Sequence, residues 1–129
     1  MTDPTHEAAL IAAFVVPEKR ERYKEFLGTP KRRHEILRRF NHFFDFIPAH
    51  CRQIERDSAA ALAKILRNLG AKDAGYVIGV DNDGETLPLA EAIHNSLGSP
   101  CGAVVSCVPG KLAIFLQEFP PGDVFLLEA

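Results

Sequence analysis

The chain has 129 residues, 47% of them hydrophobic and 25% charged, with a net charge of −2 at neutral pH. That composition is ordinary for a globular protein and excludes disordered and fibrous classes, and the length suits one domain that buries roughly two-thirds of the surface its unfolded form exposes. The longest apolar run, Ala8–Val16, stops at Pro17, well short of the roughly 18 to 20 residues that a membrane crossing needs.

The N-terminus, Met1 to Glu7, lacks the basic start and small-residue cleavage site of a secretory signal, so a cytoplasmic location is expected. Three cysteines, Cys51, Cys101 and Cys107, form no CxxC pair. Cys101 and Cys107 lie six residues apart in the sequence, roughly 20 Å in an extended strand and too far for a disulfide. Buried free thiols are the expectation.

In chain order, Ala8–Val16 is ambiguous. Its alanines suit a helix capped by Thr5, whereas Phe14-Val15-Val16 before a proline suits a strand; the balance favours helix. Pro17 then fits a first helical position, with Glu18 and Glu21 in the electropositive first turn, and that helix is expected to run to Leu27 and stop at Gly28. Thr29 is the natural cap of the next helix, with Pro30 at its first position.

The next stretch, Lys31–Ile47, carries two patterns that one helix can satisfy together. Ile36, Phe40, Phe43, Phe44 and Ile47 gather into an apolar stripe. Opposite them run Lys31, Glu35, Arg38, His42 and Asp45, a mostly alternating charged ladder. A long helix with a phenylalanine-rich buried face is therefore expected, ending near Asp45 before Pro48.

Asp57 or Ser58 caps a further helix, with Leu62, Ile65, Leu66 and Leu69 as its apolar stripe and Gly70 as its stop. Tyr76–Val80 reads as a strand buried on both faces. Thr86–Leu97 is expected to be helical, turning Ala90, Ile93 and Leu97 inward. Ala103–Val108 and Leu112–Gln117 read as strands around Pro109-Gly110, a pair suited to the centre of a type II turn. Pro120-Pro121-Gly122 makes another turn, and Val124–Leu127 a last short strand. The expected architecture is a single α/β domain bordering on α+β. Its N-terminal half is helical, followed by a small mixed sheet of about four strands with one crossover helix.

Charge divides unevenly, from a net of +3 over residues 1–56 to −5 over residues 57–129. Either the basic part meets an acidic partner, or the two halves complement each other within or between molecules. Heavy interleaving of glutamates in the basic half favours the second.

Three constellations carry candidate chemistry. Asp81, Asp83 and Glu85 sit in a loop between an expected strand and helix, where ligands of open α/β sheets usually bind. Together they could hold Mg²⁺ with phosphate oxygens. An EF-hand loop fails, because the register puts Gly79 first and Ala90 last where acids are required. His42 and Asp45, one turn apart, could pair as the orienting half of an acid–base site. Cys107 shares a strand face with Ala103 and Val105, which reads as core rather than nucleophile, and no G-x-S-x-G frame surrounds Ser106.

The leading expectation is a non-catalytic binding or regulatory module, self-associating or partner-binding, whose basic helix contacts an acidic surface. Lys31, Arg32, Arg38, Arg39 and His42 are its candidate contacts. The rival is a metal-assisted enzyme acting on a phosphorylated small molecule, with Asp81, Asp83 and Glu85 as Mg²⁺ ligands. Weak nucleic-acid binding through Lys31, Arg32, Arg33, Arg38 and Arg39, with Lys19, Arg20, Arg22 and Lys24 before them, is the lesser alternative. The calculated pI of 6.2 is far below that of such domains, and the interleaved aromatics fall on the buried stripe.

Overall fold

The computed structural model describes residues 2–38, 45–120 and 122–129. In chain order these form helices α1 (Pro4–Phe14), α2 (Arg20–Gly28) and α3 (Pro30–Leu37), strand β1 (Cys51–Ile54), helix α4 (Ala59–Asn68), strands β2 (Ala74–Gly79) and β3 (Thr86–Pro88), helix α5 (Leu89–Leu97), and strands β4 (Ala103–Val108), β5 (Leu112–Leu116) and β6 (Val124–Glu128). Short 3₁₀ turns at Pro17–Lys19 and Pro48–His50 precede α2 and β1.

The strands make one sheet in the order β1-β6-β5-β4-β2-β3, antiparallel at every pairing. Strands β3 and β4 both run opposite to β2 and therefore parallel to each other, so α5 is a crossover that carries the chain past β2.

Alternation of side chains along the strands builds two cores, one on each face. Tyr76, Ile78, Val104, Ala113, Phe115 and Leu127 point to the face covered by α1, α2 and α3, and meet Leu10, Ile11, Phe14, Tyr23, Leu27 and Ile36. Val77, Val105, Ile114, Leu116, Val124 and Leu126 point to the opposite face and meet Leu62 and Leu66 of α4 and Leu89 and Ile93 of α5. The result is a three-layer sandwich, which is why β2 and β5 read as unbroken apolar runs. No helix among the described residues is long and apolar enough to cross a membrane.

Local signals place several elements. Ser58 caps α4 by accepting a hydrogen bond from the Ala61 amide at 3.2 Å. Gly110 takes φ +71° in the turn closed by the Lys111 amide on the Val108 carbonyl at 2.9 Å, as a type II turn requires.

The α/β class and the crossover helix stand, but the sheet has six antiparallel strands where about four in a mixed sheet were expected. The additional strands are β1 and β3, four and three residues long, too short to show a period. Pro88 separates β3 from α5, so the span expected as one helix from Thr86 begins as a strand paired to β2.

At the N-terminus both readings of residues 8–16 have a part. The helix runs to Phe14, capped by Asp3 rather than Thr5, and Val15 then bridges Phe46 in antiparallel fashion. The turn at Pro17 is 3₁₀, and α2 begins only at Arg20.

The long helix expected over Lys31–Ile47 is corrected. α3 covers Pro30–Leu37, and Asp45 and Phe46 are not helical. The Asp45 carbonyl accepts from the Val16 amide at 2.8 Å and the Ile47 amide donates to the Phe14 carbonyl at 2.7 Å, so pairing with the end of α1 replaces the helical bonds there. Pro48 adds to this by holding Ile47 extended. Ile36 is buried as expected; Phe40, Phe43 and Phe44 lie outside the described residues.

Candidate site at the buried Arg33 and the basic face of α3

Arg33 lies three and four residues before Ile36 and Leu37, on the inward face of α3, with its side chain only 9% exposed. A guanidinium taken from water there must have its donors answered, and all five are. Nε donates to Asp83 Oδ2 at 2.6 Å and Nη2 to Asp83 Oδ1 at 2.9 Å. Nη1 donates to Glu7 Oε1 at 2.8 Å and to the Leu27 carbonyl at 3.1 Å, and Nη2 also donates to Glu7 Oε2 at 2.7 Å. Burial works against the Arg33 charge, but its bonds to Asp83 and Glu7 and their charges outweigh burial and raise its pKa above the ordinary arginine value. One side chain thus joins α1, α3 and the β2–β3 loop.

The loop is shaped to deliver Asp83. Asn82 and Gly84 take φ +59° and +77°, and the Gly84 amide closes onto the Val77 carbonyl at 2.8 Å. The left-handed region suits these two residue types.

Glu7 carries the network into the sheet. Its Oε2 also accepts from the Tyr76 hydroxyl at 2.5 Å, and that hydroxyl accepts from the Asp3 amide at 2.8 Å. The His6 ring stacks on Tyr76 with centroids 4.8 Å apart, and its Nε2 lies 2.6 Å from Oγ of the buried Ser106 on β4. Burial, with the bond to Glu7, pushes Tyr76 up to about 12. Burial also lowers the His6 pKa below 6.5, against the opposing pull of Asp3 and Glu7.

This has a consequence for stability. The folded protein takes up the His6 proton less readily than the unfolded chain, whose histidines titrate near 6.5. Stability from this group is therefore complete above that pH and declines as pH falls through it toward the lower folded value. Urea unfolding between pH 8 and pH 5 should show a fall that shrinks in His6→Gln. An unchanged pH slope in that variant would exclude His6 as a source.

The sequence-predicted residues fare differently. Lys31 and Arg32 on α3 and Arg38 at its C-cap are exposed, as expected. Arg32 is engaged, bonded to Glu25 at 2.6 Å and lying over the Phe26 ring at 4.8 Å. Lys31 and Arg38 make no ion pair among the described residues. Arg39 and His42 lie outside the described residues. Asp45, expected as the partner of His42, accepts from the Tyr23 hydroxyl at 2.8 Å.

Asp81, Asp83 and Glu85 stand in one loop but point to separate partners. Asp83 is bound to Arg33, Glu85 accepts from the Asn82 side chain at 2.7 Å, and Asp81 is exposed. Among the described residues no group of three His, Cys, Asp or Glu is placed to hold a metal ion. Both oxygens of Asp83 accept from Arg33, so a cation in the loop would compete with that pair for them. Burial pushes the Cys107 thiol up to about 12 and Cys51 to about 11, so neither carries thiolate at neutral pH. All three cysteines are free.

Sequence reasoning missed the cluster by grouping Arg33 with its exposed basic neighbours. Its spacing to Ile36 and Leu37 was the available signal. Nothing local marks Glu7 or Ser106 as partners, which lie 26 and 73 residues from Arg33 along the chain.

A shallow recess opens beside Arg33, about 270 Å³, between Pro30, His34 and Leu37 of α3 and Val80 and Asp83 at the end of β2. No protein-family model matches the chain, and neither the curated proteins nor the solved structures yield a match.

Proposed function

We propose that this chain is a non-catalytic binding module, and that α3 presents its basic face to an acidic surface on a partner protein or a second copy. The observation that supports this reading is a division of labour over α3 and its C-cap residue Arg38. Arg33 anchors the inner face through two carboxylates, while Lys31 and Arg38 stand exposed without ion pairs among the described residues. Exposed cations on a rigid support steer association and set partner choice at little cost to the fold. Two of the groups considered for chemistry are committed otherwise: Asp83 holds Arg33, and burial keeps the Cys107 thiol protonated at neutral pH.

An acidic protein surface is preferred to nucleic acid on the overall charge of −2 and on the surroundings of Phe26. Phe26 is half-buried against the core and already carries Arg22 and Arg32 at 5.3 and 4.8 Å from its centroid, which compete with a base for its ring.

The test is the paired reversal Lys31→Glu with Arg38→Glu, read by sedimentation velocity and by anisotropy of labelled poly-glutamate. Wild type is expected to self-associate or to bind the polyanion. The variant should lose roughly tenfold in affinity, about 1.4 kcal/mol, at an unchanged unfolding midpoint. Wild type that stays monomeric and ignores poly-glutamate, or a variant that performs as wild type does, overturns the reading.

A further inference from the structure

The recess beside Arg33 gives the same face a second kind of contact, and this inference rests on the binding reading above. Pro30, Arg33, His34 and Leu37 fall at i, i+3, i+4 and i+7, so one side of α3 forms one wall. Val80 and Asp83, at the end of β2 and in its loop, form the other wall. The charged members of this lining, Arg33 and Asp83, are bonded to each other and offer an entering group no unpaired charge. What remains is the exposed His34 at the edge and three apolar residues, Pro30, Leu37 and Val80. Val80 is a large aliphatic residue left 39% exposed.

Lys31, His34 and Arg38 lie at i, i+3 and i+7, one residue further round the helix, and all three are exposed. They make a basic rim along one side of an apolar depression, with volume for a single aliphatic side chain. An apolar anchor in a pocket, ringed by charges that fix register, is a recurrent plan for peptide recognition.

We propose that this recess takes one aliphatic side chain of an acidic peptide segment, with the carboxylates flanking that side chain held by Lys31 and Arg38. The partner is thus an acidic, leucine- or isoleucine-bearing stretch of protein rather than a uniformly charged polymer. Charge complementarity selects it: Lys31 and Arg38 on the rim make no ion pair among the described residues, whereas the apolar floor would exclude a charged group.

The experiment titrates labelled full-length protein, followed by amide chemical shifts, with a synthetic peptide carrying one leucine between pairs of glutamates. Three comparison ligands accompany it: the peptide with leucine replaced by serine, the peptide with its glutamates replaced by glutamine, and a single-stranded DNA oligonucleotide. The expected result is shifts confined to residues 30–38 and 79–83. Binding should weaken roughly tenfold for either altered peptide and for Val80→Asp, a substitution at an exposed site that leaves the core untouched.

Equal binding of the leucine and serine peptides, or an undiminished response in Val80→Asp, overturns the inference while leaving a purely electrostatic α3 contact standing. Tighter binding of DNA than of the leucine peptide, or no shifts in α3 with any ligand, also overturns it. The poly-glutamate and sedimentation measurements judge the broader reading separately.

Discussion

Replacing Arg33 with leucine is expected to destabilise the protein by about 3–5 kcal/mol, the cost of leaving buried charge without its partner. The two carboxylates do not suffer equally. The Asp83 side chain is 22% exposed and can turn toward water, whereas Glu7, on the buried side of α1, is 7% exposed and among the described residues keeps the Tyr76 hydroxyl as its one side-chain donor. Most of the loss therefore falls on Glu7. The double variant Arg33→Leu with Glu7→Gln should recover a large part of the stability, because a neutral amide is far cheaper to bury than a lone carboxylate. Urea unfolding of the three proteins measures this directly. A single variant that loses less than about 1 kcal/mol, or a double variant no better than the single, would show that the cluster holds little of the fold together.

The second large effect belongs to the opposite kind of contact. Phe115 is fully buried in the middle of β5, with Phe46 edge-on at 5.0 Å and Phe125 stacked at 6.0 Å. Truncation to alanine opens a cavity under α1 that the surrounding sheet cannot close, at a cost of about 3–5 kcal/mol. Phe119 supplies the contrast. It is 45% exposed and lies 4.7 Å beneath the Arg56 guanidinium, a contact of about 0.5–1 kcal/mol at an exposed site. Phe119→Ala should therefore shift the unfolding midpoint only slightly. Comparable losses from the two substitutions would mean that the core does not depend on the packing of Phe115 against Phe46 and Phe125.

The parts of this fold that were legible in advance share one property, that their signals sit within a few residues of each other. Ser58 with the Leu62–Leu66 spacing and Gly70 defines α4 within thirteen residues. Pro109-Gly110 between two apolar runs defines the β4–β5 hairpin. The failures have the opposite property. Lys31–Ile47 has the period of one helix, yet α3 ends at Leu37 and Phe46 pairs with Val15, thirty-one positions earlier. Strands β1 and β3 exist because β6 and β2 present open edges to pair with.

The candidate site divides in the same way. Exposure of Lys31 and Arg38 follows from helical spacing and was read correctly. Asp83 was read as a metal ligand because a carboxylate in a loop carries no sign of what will approach it. Arg33 arrives from α3, and its charge is better satisfied there than a solvated turn could manage.

Composition, short-range period and turn chemistry were enough to set the class of fold, most of its helices, the apolar strands and the outward face of α3. Those features arise from bonds and packing between near neighbours, whose geometry the backbone dictates. The six-stranded order, the two-sided core and the union of Glu7, Arg33 and Asp83 were settled only in three dimensions. Burial makes an unpaired charge so costly that the fold must bring its partners together, however far apart they lie along the chain.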